Sequence, residues 1–310
     1  MNRPTILSVI ALLAACGGEE GVSDPERVPL AVDEAAAPPA EAGAGTEPPP
    51  AAIERVHVLD CGTIEISDLD AFASDGSYAG QTATYADTCY LVRHHDGRTL
   101  LWDLGVPAAL ADGEPFVSPP FTVSLDRTLA DQLAEIGTRP DFVAISHSHF
   151  DHVAQADAAA GATWLVHEAE LAHMEATMAE DQTGGFAVLM AFERETFTGE
   201  HDVFGDGSAV IVPMPGHTPG HAVLKLEFLE EAEADGERVL DASRTVLLSG
   251  DLYHRTESRE GRKVPRFNTD AEKTRESMAA FEALADETQA RVIIQHERDD
   301  VAALIGGTIE

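Results

Sequence analysis

Residues 146–152 read Ser-His-Ser-His-Phe-Asp-His, with imidazoles at His147, His149 and His152 and a carboxylate at Asp151. Just before them Phe142-Val143-Ala144-Ile145 follows Arg139-Pro140-Asp141, and this short, branched apolar run reads as a buried strand. The cluster therefore sits where a strand ends. Period-two alternation along the extended part puts His147 and His149 on one side with Asp151, and His152 follows as the chain turns. Neutral imidazole and ionised carboxylate are ligands for Zn2+ and similar ions, and strand ends are where open α/β folds build their sites. A polar surface loop with chance histidines is the plainer alternative, and the crowding of four such side chains argues against it.

One loop cannot fill a two-metal site, so this reading requires ligands further along. His217 in Met-Pro-Gly-His, Asp251 in Ser-Gly-Asp and His296 in Ile-Gln-His supply them. Each follows an apolar run: Val210-Ile211-Val212, Thr245 to Leu248, and Val292-Ile293-Ile294. Three more strand ends thus offer one ligand each.

The pattern HxHxDH followed by a distant His, Asp and His resembles that of the metallo-β-lactamase superfamily. The stretches CYLVRHHDGRTLLWDLGVP, ISHSHFDHVAQ, GDGSAVIVPMPGHTPGHAVLKLE, VLLSGDLYH and VIIQHE, in this order, are similar to the N-acyl-homoserine lactonase branch. The resemblance runs from about residue 53 onward. It implies an αββα sandwich of mixed α/β class and two divalent metal ions, Zn2+ first, with Co, Mn or Fe as alternatives. Carried over by position, His147, His149 and His217 would hold one ion, Asp151, His152 and His296 the other, and Asp251 would bridge them. True zinc β-lactamases can carry cysteine at the Asp251 position, so the aspartate argues against antibiotic hydrolysis. Asp103, in Leu-Leu-Trp-Asp-Leu-Gly, matches a family aspartate expected to orient a ligand histidine.

The implied chemistry is opening of a lactone ring by a hydroxide shared between the ions, with Asp151 passing a proton to the departing alkoxide. The expected substrate is a small neutral lactone, N-acyl-homoserine lactones above all. One departure bears on recognition. Members of the branch place a tyrosine three residues after the bridging aspartate, whereas here the order after Asp251 is Leu252, Tyr253, His254. Tyr253 or His254 is expected to hold the ring carbonyl or the amide. The rival activities are hydrolysis of other lactones, aryl esters or phosphotriesters by the same ions. A rival of another class is a lipid-anchored metal-binding protein without turnover, for which Asp251 would not be needed.

The two ends of the chain differ in kind. Arg3 precedes an apolar run from Ile6 to Leu13, too short to span a bilayer, and Leu13-Ala14-Ala15-Cys16 follows. Residues 1–15 read as a signal peptide whose cleavage region resembles a bacterial lipobox, with Cys16 as the lipidated first residue. The expected location is the cell envelope, at the outer membrane or in the periplasm, on an N-terminal lipid anchor. Residues 17–52 hold seven of the seventeen prolines, eight acidic side chains, one Arg and no aromatic residue. That composition cannot form a core, so 16–52 reads as a tether and 53–310 as one metallo-hydrolase domain.

Of the formal net charge of −35, −7 falls on residues 17–52 and +1 on Arg3, leaving −29 on 53–310. Such a domain repels nucleic acid, which weighs against nuclease activity and suits a neutral substrate. Acidity that serves only solubility or a salty habitat is an equally good explanation. In an oxidising compartment Cys61 and Cys89, both in strand-like segments, could pair or stay free.

Ser124 reads as a helix N-cap and Gly137 as its stop, with Leu125, Leu129, Leu133 and Ile136 on one face. Further helices are expected over about 168–178 and 270–285. His57, His94, His95, His167, His173 and His201 lack ligand spacing, and His221 reads as a structural hydrogen-bonder. Phe116 and Phe121 lie in a Pro-rich loop where an acyl chain or merely a loop anchor would place them.

Overall fold

A computed structural model describes residues 52–181, 186–234 and 237–310. The expected signal peptide, Cys16 and the tether short of Ala52 lie outside the described residues.

The strands are β1 (Ile53–Ile66), β2 (Ala83–His94), β3 (Thr99–Trp102), β4 (Phe116–Ser118), β5 (Phe121–Ser124), β6 (Phe142–Ala144) and β7 (Thr163–His167). They continue as β8 (Arg194–Phe197), β9 (His201–Asp202), β10 (Ala209–Pro213), β11 (Ala222–Ala234), β12 (Glu237–Leu248), β13 (Arg291–Ile293) and β14 (Thr308–Ile309). The hydrogen-bonded order β13-β12-β11-β1-β2-β3-β6-β7-β8 is continuous, but β1 and β11 meet only at Ile53 and Phe228. This thin link divides the path into two sheets.

Alternation along the strands explains how they stack. Val56, Val58, Tyr90, Val92, Leu100 and Trp102 of the first sheet share a core with Ile211, Leu224, Leu226, Phe228, Val246 and Leu248 of the second. The intervening residues face outward. Leu91, Leu101 and Val143 pack against the helix Leu129–Ile136 and the segment that follows β6. Val210, Val212, Val223 and Leu247 pack against Met278 and Phe281 of the helix Ala271–Thr288. Helix, sheet, sheet, helix is the αββα sandwich, and strands such as β2, β3 and β10 bury both faces.

β1 runs unbroken over 14 residues, with a bulge between Asp60 and Gly62 in its ladder with β2. Cys61 at that bulge is disulfide-bonded to Cys89, which settles the open question of their pairing; their Cα atoms are 5.8 Å apart. The expected helix start at Ser124 is wrong. Ser124 ends β5, which pairs with β1, and the helix begins after Thr128, whose hydroxyl accepts the amide of Asp131 at 3.1 Å. Its end at Gly137 is as expected, with φ 76°.

Candidate metal centre

Four loops carry the candidate ligands to one place. Each leaves the C-terminal end of a strand: His147 to His152 after β6, His217 after β10, Asp251 after β12 and His296 after β13. Backbone must run close to backbone for these loops to meet. Gly250, just before Asp251, has φ 50°, and a Cβ there would lie 2.7 Å from His221 Nε2. Gly216, just before His217, has φ 131°, and a Cβ would lie 2.3 Å from the amide nitrogen of Thr274.

The donor atoms fall into two groups, His147, His149, His217 and Asp251 in one, Asp151, His152 and His296 in the other. Asp251 is shared between them by its two oxygens. Oδ2 lies 3.5 Å from His147 Nε2 and 3.4 Å from His217 Nε2, while Oδ1 lies 3.3 Å from His152 Nε2 and 2.9 Å from His296 Nε2. His149 Nδ1 stands 2.8 Å from His147 Nε2 and 3.0 Å from His217 Nε2. Asp151 reaches His152 Nε2 at 3.9 Å and His296 Nε2 at 3.8 Å. His152 Nε2, His296 Nε2 and Asp251 Oδ1 are buried and, close as they stand, make no well-aligned hydrogen bond among the described residues. Buried polar atoms without partners are costly, and converging nitrogen lone pairs repel unless a cation or proton lies between them. Nitrogen and carboxylate donors in this arrangement fit two divalent ions with Asp251 spanning both.

The opposite ring nitrogens show that Nε2 is the free one in three of these histidines. His152 Nδ1 faces Asp103 Oδ2 at 3.0 Å, His296 Nδ1 donates to the carbonyl of Ala86 at 2.7 Å, and His217 Nδ1 meets Asn268 Oδ1 at 2.9 Å. Asp103 does more than orient His152. It accepts from the amide of Ser146 at 2.6 Å and from Gln295 Nε2 at 2.8 Å, tying two ligand loops together. Glu170, which sequence reasoning missed, accepts from Ser148 N (2.7 Å), Thr218 Oγ1 (2.7 Å) and Gly220 N (2.9 Å), joining two more segments. His221 is structural: Nδ1 donates to the Met214 carbonyl and Nε2 accepts the amide of Asp251.

Burial, followed by repulsion from neighbouring imidazoles, holds His147 and His149 well below the usual histidine range, in the neutral ligating form. At His296 burial acts downward but Asp251 and Asp151 outweigh it, lifting the ring to about 9 in the metal-free chain. His152 is likewise raised, its burial overcome by Asp103, Asp251 and Asp151. Burial would raise Asp251, yet His254, His296, His147 and His152 hold it well below the carboxylate range. A site that gathers this much anionic charge around its rings takes up a cation, whether protons or metal.

A cavity of about 30 Å³ opens on this cluster. Asp151, Asp251, His149, His254 and His296 line its polar end, and Phe72, Phe121, Phe150, Phe267, Ile64 and Ile66 its apolar end. Phe121 is therefore at the site, whereas Phe116 packs on the cluster behind it. Tyr253 is not at the site, contrary to expectation. Its extended backbone (φ −138°, ψ 136°) turns the ring into the outer core beside Phe281, and its hydroxyl donates to Glu282 Oε1 at 2.9 Å. Alternation then returns His254 to the pocket, where its Nε2 lies 3.0 Å from Asp251 Oδ2. None of His57, His94, His95, His167, His173 and His201 belongs to either donor group among the described residues.

The model of the metallo-beta-lactamase superfamily matches residues 85–231. The chain is 25% identical over 262 residues to the N-acyl homoserine lactonase AttM of Rhizobium johnstonii, covering 78% of this chain and 93% of that one. Among solved structures, an N-acyl homoserine lactone hydrolase with N-hexanoyl-L-homoserine at its catalytic metal centre superposes with a TM-score of 0.67 at 19% identity, over 81% of this chain and 96% of that one. The dizinc quorum-quenching lactonase AidC superposes with a TM-score of 0.55 at 16% identity, over 80% and 91%. The chain has the mixed α/β fold of that superfamily's solved structures. It is a metal-dependent hydrolase of that fold.

Proposed function

We propose that this hydrolase opens lactone rings and that N-acyl-homoserine lactones are its main substrates. The observation that carries the reading is the pocket, whose aromatic walls end on the paired donor groups and, among the described residues, include no Lys or Arg. The apolar end offers the kind of surface an acyl chain would pack on, and the polar end the groups a ring carbonyl would meet. The similarity to AttM, a named lactonase over nearly its whole length, supports the same assignment. Two divalent ions, Zn2+ foremost, would be held by His147, His149 and His217, by Asp151, His152 and His296, and by Asp251 between them. When bound they supply Lewis acidity toward the lactone carbonyl and toward water.

The chain's own residues do the rest. Asp251 fixes the separation of the two donor groups, and the rings of Phe72, Phe121, Phe150 and Phe267 exclude water from the reacting end. Asp151 lines the pocket beside the second group, where its carboxylate can take the proton given up by the attacking water and pass it to the alkoxide that leaves when the ring opens. The test is a panel of acyl-homoserine lactones, other lactones, aryl esters and phosphotriesters with defined metals, followed by proton release and a mass gain of one water. Turnover of an aryl ester or phosphotriester faster than any lactone replaces this reading with that of a broader hydrolase.

Export and anchoring are part of the proposal. The lipobox-like Leu13-Ala14-Ala15-Cys16 motivates them, and the Cys61–Cys89 bond suits an oxidising compartment. Fractionation of cells making the wild type and Cys16→Ser tests it, since equal recovery of both in the soluble fraction would sink the anchor.

A further inference from the structure

His254 occupies the place where the resemblance leads one to expect a tyrosine, and its imidazole faces Asp251. The one-turn helix Gly250–Leu252 and the extended Tyr253 bring its imidazole back over Asp251. Its Nε2 stands 3.0 Å from Asp251 Oδ2, the same oxygen that stands 3.5 and 3.4 Å from His147 and His217. Two donors bound at about 2.0 to 2.2 Å to one ion, at angles of about 90 to 110°, are themselves about 3.0 to 3.5 Å apart. His254 thus meets the first group's oxygen at a spacing that suits a fellow ligand or a hydrogen bond, and stands outside the four donors that lie within 4.8 Å of one another.

The ring is also held there. It is 4% exposed, edge-on to Phe72 at 5.0 Å and to Phe267 at 5.9 Å, and stacked on His296 at 5.8 Å with 12° between planes. A neutral imidazole offers a lone pair at neutral pH, whereas a phenol must first lose a proton with a pKa of about 10. The exchange of residue type at this place is therefore an exchange of chemistry.

We propose that His254 is an eighth protein ligand, a fifth donor to the ion held by His147, His149, His217 and Asp251. The proposal rests on the two-ion reading of the site and not on the lactone. It makes the first position suited to ions that accept five or six ligands, and it removes His254 from direct duty in holding the substrate.

The test uses the purified full-length protein, stripped with a chelator and titrated with Co2+ alone against a colorimetric competitor. The variants are His254→Phe, His254→Gln and, as a control on an exposed ring, His95→Gln. Wild type and His95→Gln should bind two ions with one visible spectrum. Both His254 variants should hold one of the two about ten- to a hundredfold more weakly, and the d–d bands should intensify as a five-coordinate centre drops to four. Gln can keep the hydrogen bond to Asp251 but is a poor ligand. A His254→Gln protein with wild-type affinity and spectrum would show a hydrogen-bonding role only and overturn the proposal. Wild type that binds fewer than two ions would instead bring down the two-ion reading beneath it.

Discussion

Asp103 holds a left-handed backbone, φ 62°, that asparagine adopts almost as readily, so Asp103→Asn tests its charge without straining the turn. With the carboxylate's charge gone, His152 Nδ1 faces at best a neutral amide oxygen, and the second ion should be held about 10- to 100-fold more weakly, measured by metal retention during chelator dialysis. The same ring set gives a pH signature in stripped protein. His296 is raised to about 9 from an ordinary value near 6.5, so its stabilisation is fully present below about 6.5 and is lost as pH rises through about 9. Chelator-treated protein should melt at a lower temperature at pH 9 than at pH 6.5, and metal should close that gap. Equal melting points would remove the electrostatic account of the cluster. The seven donors and Asp103 were legible because each follows an apolar run at a strand end. Glu170 and Asn268 were not, because the groups of the site that they hold lie 22 or more residues away and no local spacing marks them.

Among the elements, the helix Glu168–Asp181 acts on the site through one residue of its first turn. Glu170 is 2% exposed and takes three hydrogen bonds from the loops carrying His149 and His217. Glu170→Gln leaves one donor facing an amide group that must also donate, and should cost about 1.5 to 3 kcal/mol in denaturant unfolding. The disulfide between β1 and β2 closes a loop across 28 positions, and Cys61→Ser with Cys89→Ser should cost about 3 to 4 kcal/mol on chain-entropy grounds. Reduction of the wild type should lower its melting temperature in the same way, and no change would mean the bond carries no stability. Strand positions were legible from branched apolar runs, and the helix over 271–288 from its Asp270 cap, which accepts from the amides of Glu272 and Lys273. The helix start near Ser124 misled because Leu125 keeps helical spacing to Leu129 while its backbone continues from a strand paired with β1. Tyr253 misled for a similar reason: a one-residue extension after the turn sends neighbouring side chains to opposite layers, and sequence adjacency to Asp251 does not reveal which.

At the scale of the whole molecule the net charge of −29 on residues 53–310 sets how substrates arrive. With 55 acidic against 20 basic side chains in the full sequence, most carboxylates have no cation to pair with, and the surrounding potential is negative. That field reaches about 10 Å at 0.1 M salt and about 3 Å at 1 M, so a salt series reads the charge of whatever the enzyme works on. A cationic substrate is drawn in, and its kcat/KM falls as salt rises; an anionic one is repelled, and its kcat/KM climbs. A neutral lactone feels neither, so its kcat/KM should stay within about twofold across that range while an anionic aryl phosphate, if turned over at all, speeds up. The same screening relieves repulsion among the carboxylates and should raise the melting temperature over the series. Sucrose, which is excluded from the surface without screening charge, separates that effect from general stabilisation. A steep fall of lactone kcat/KM with salt, at constant bound metal, would mean that attraction to a cation governs encounter, and the neutral-substrate assignment would have to be abandoned.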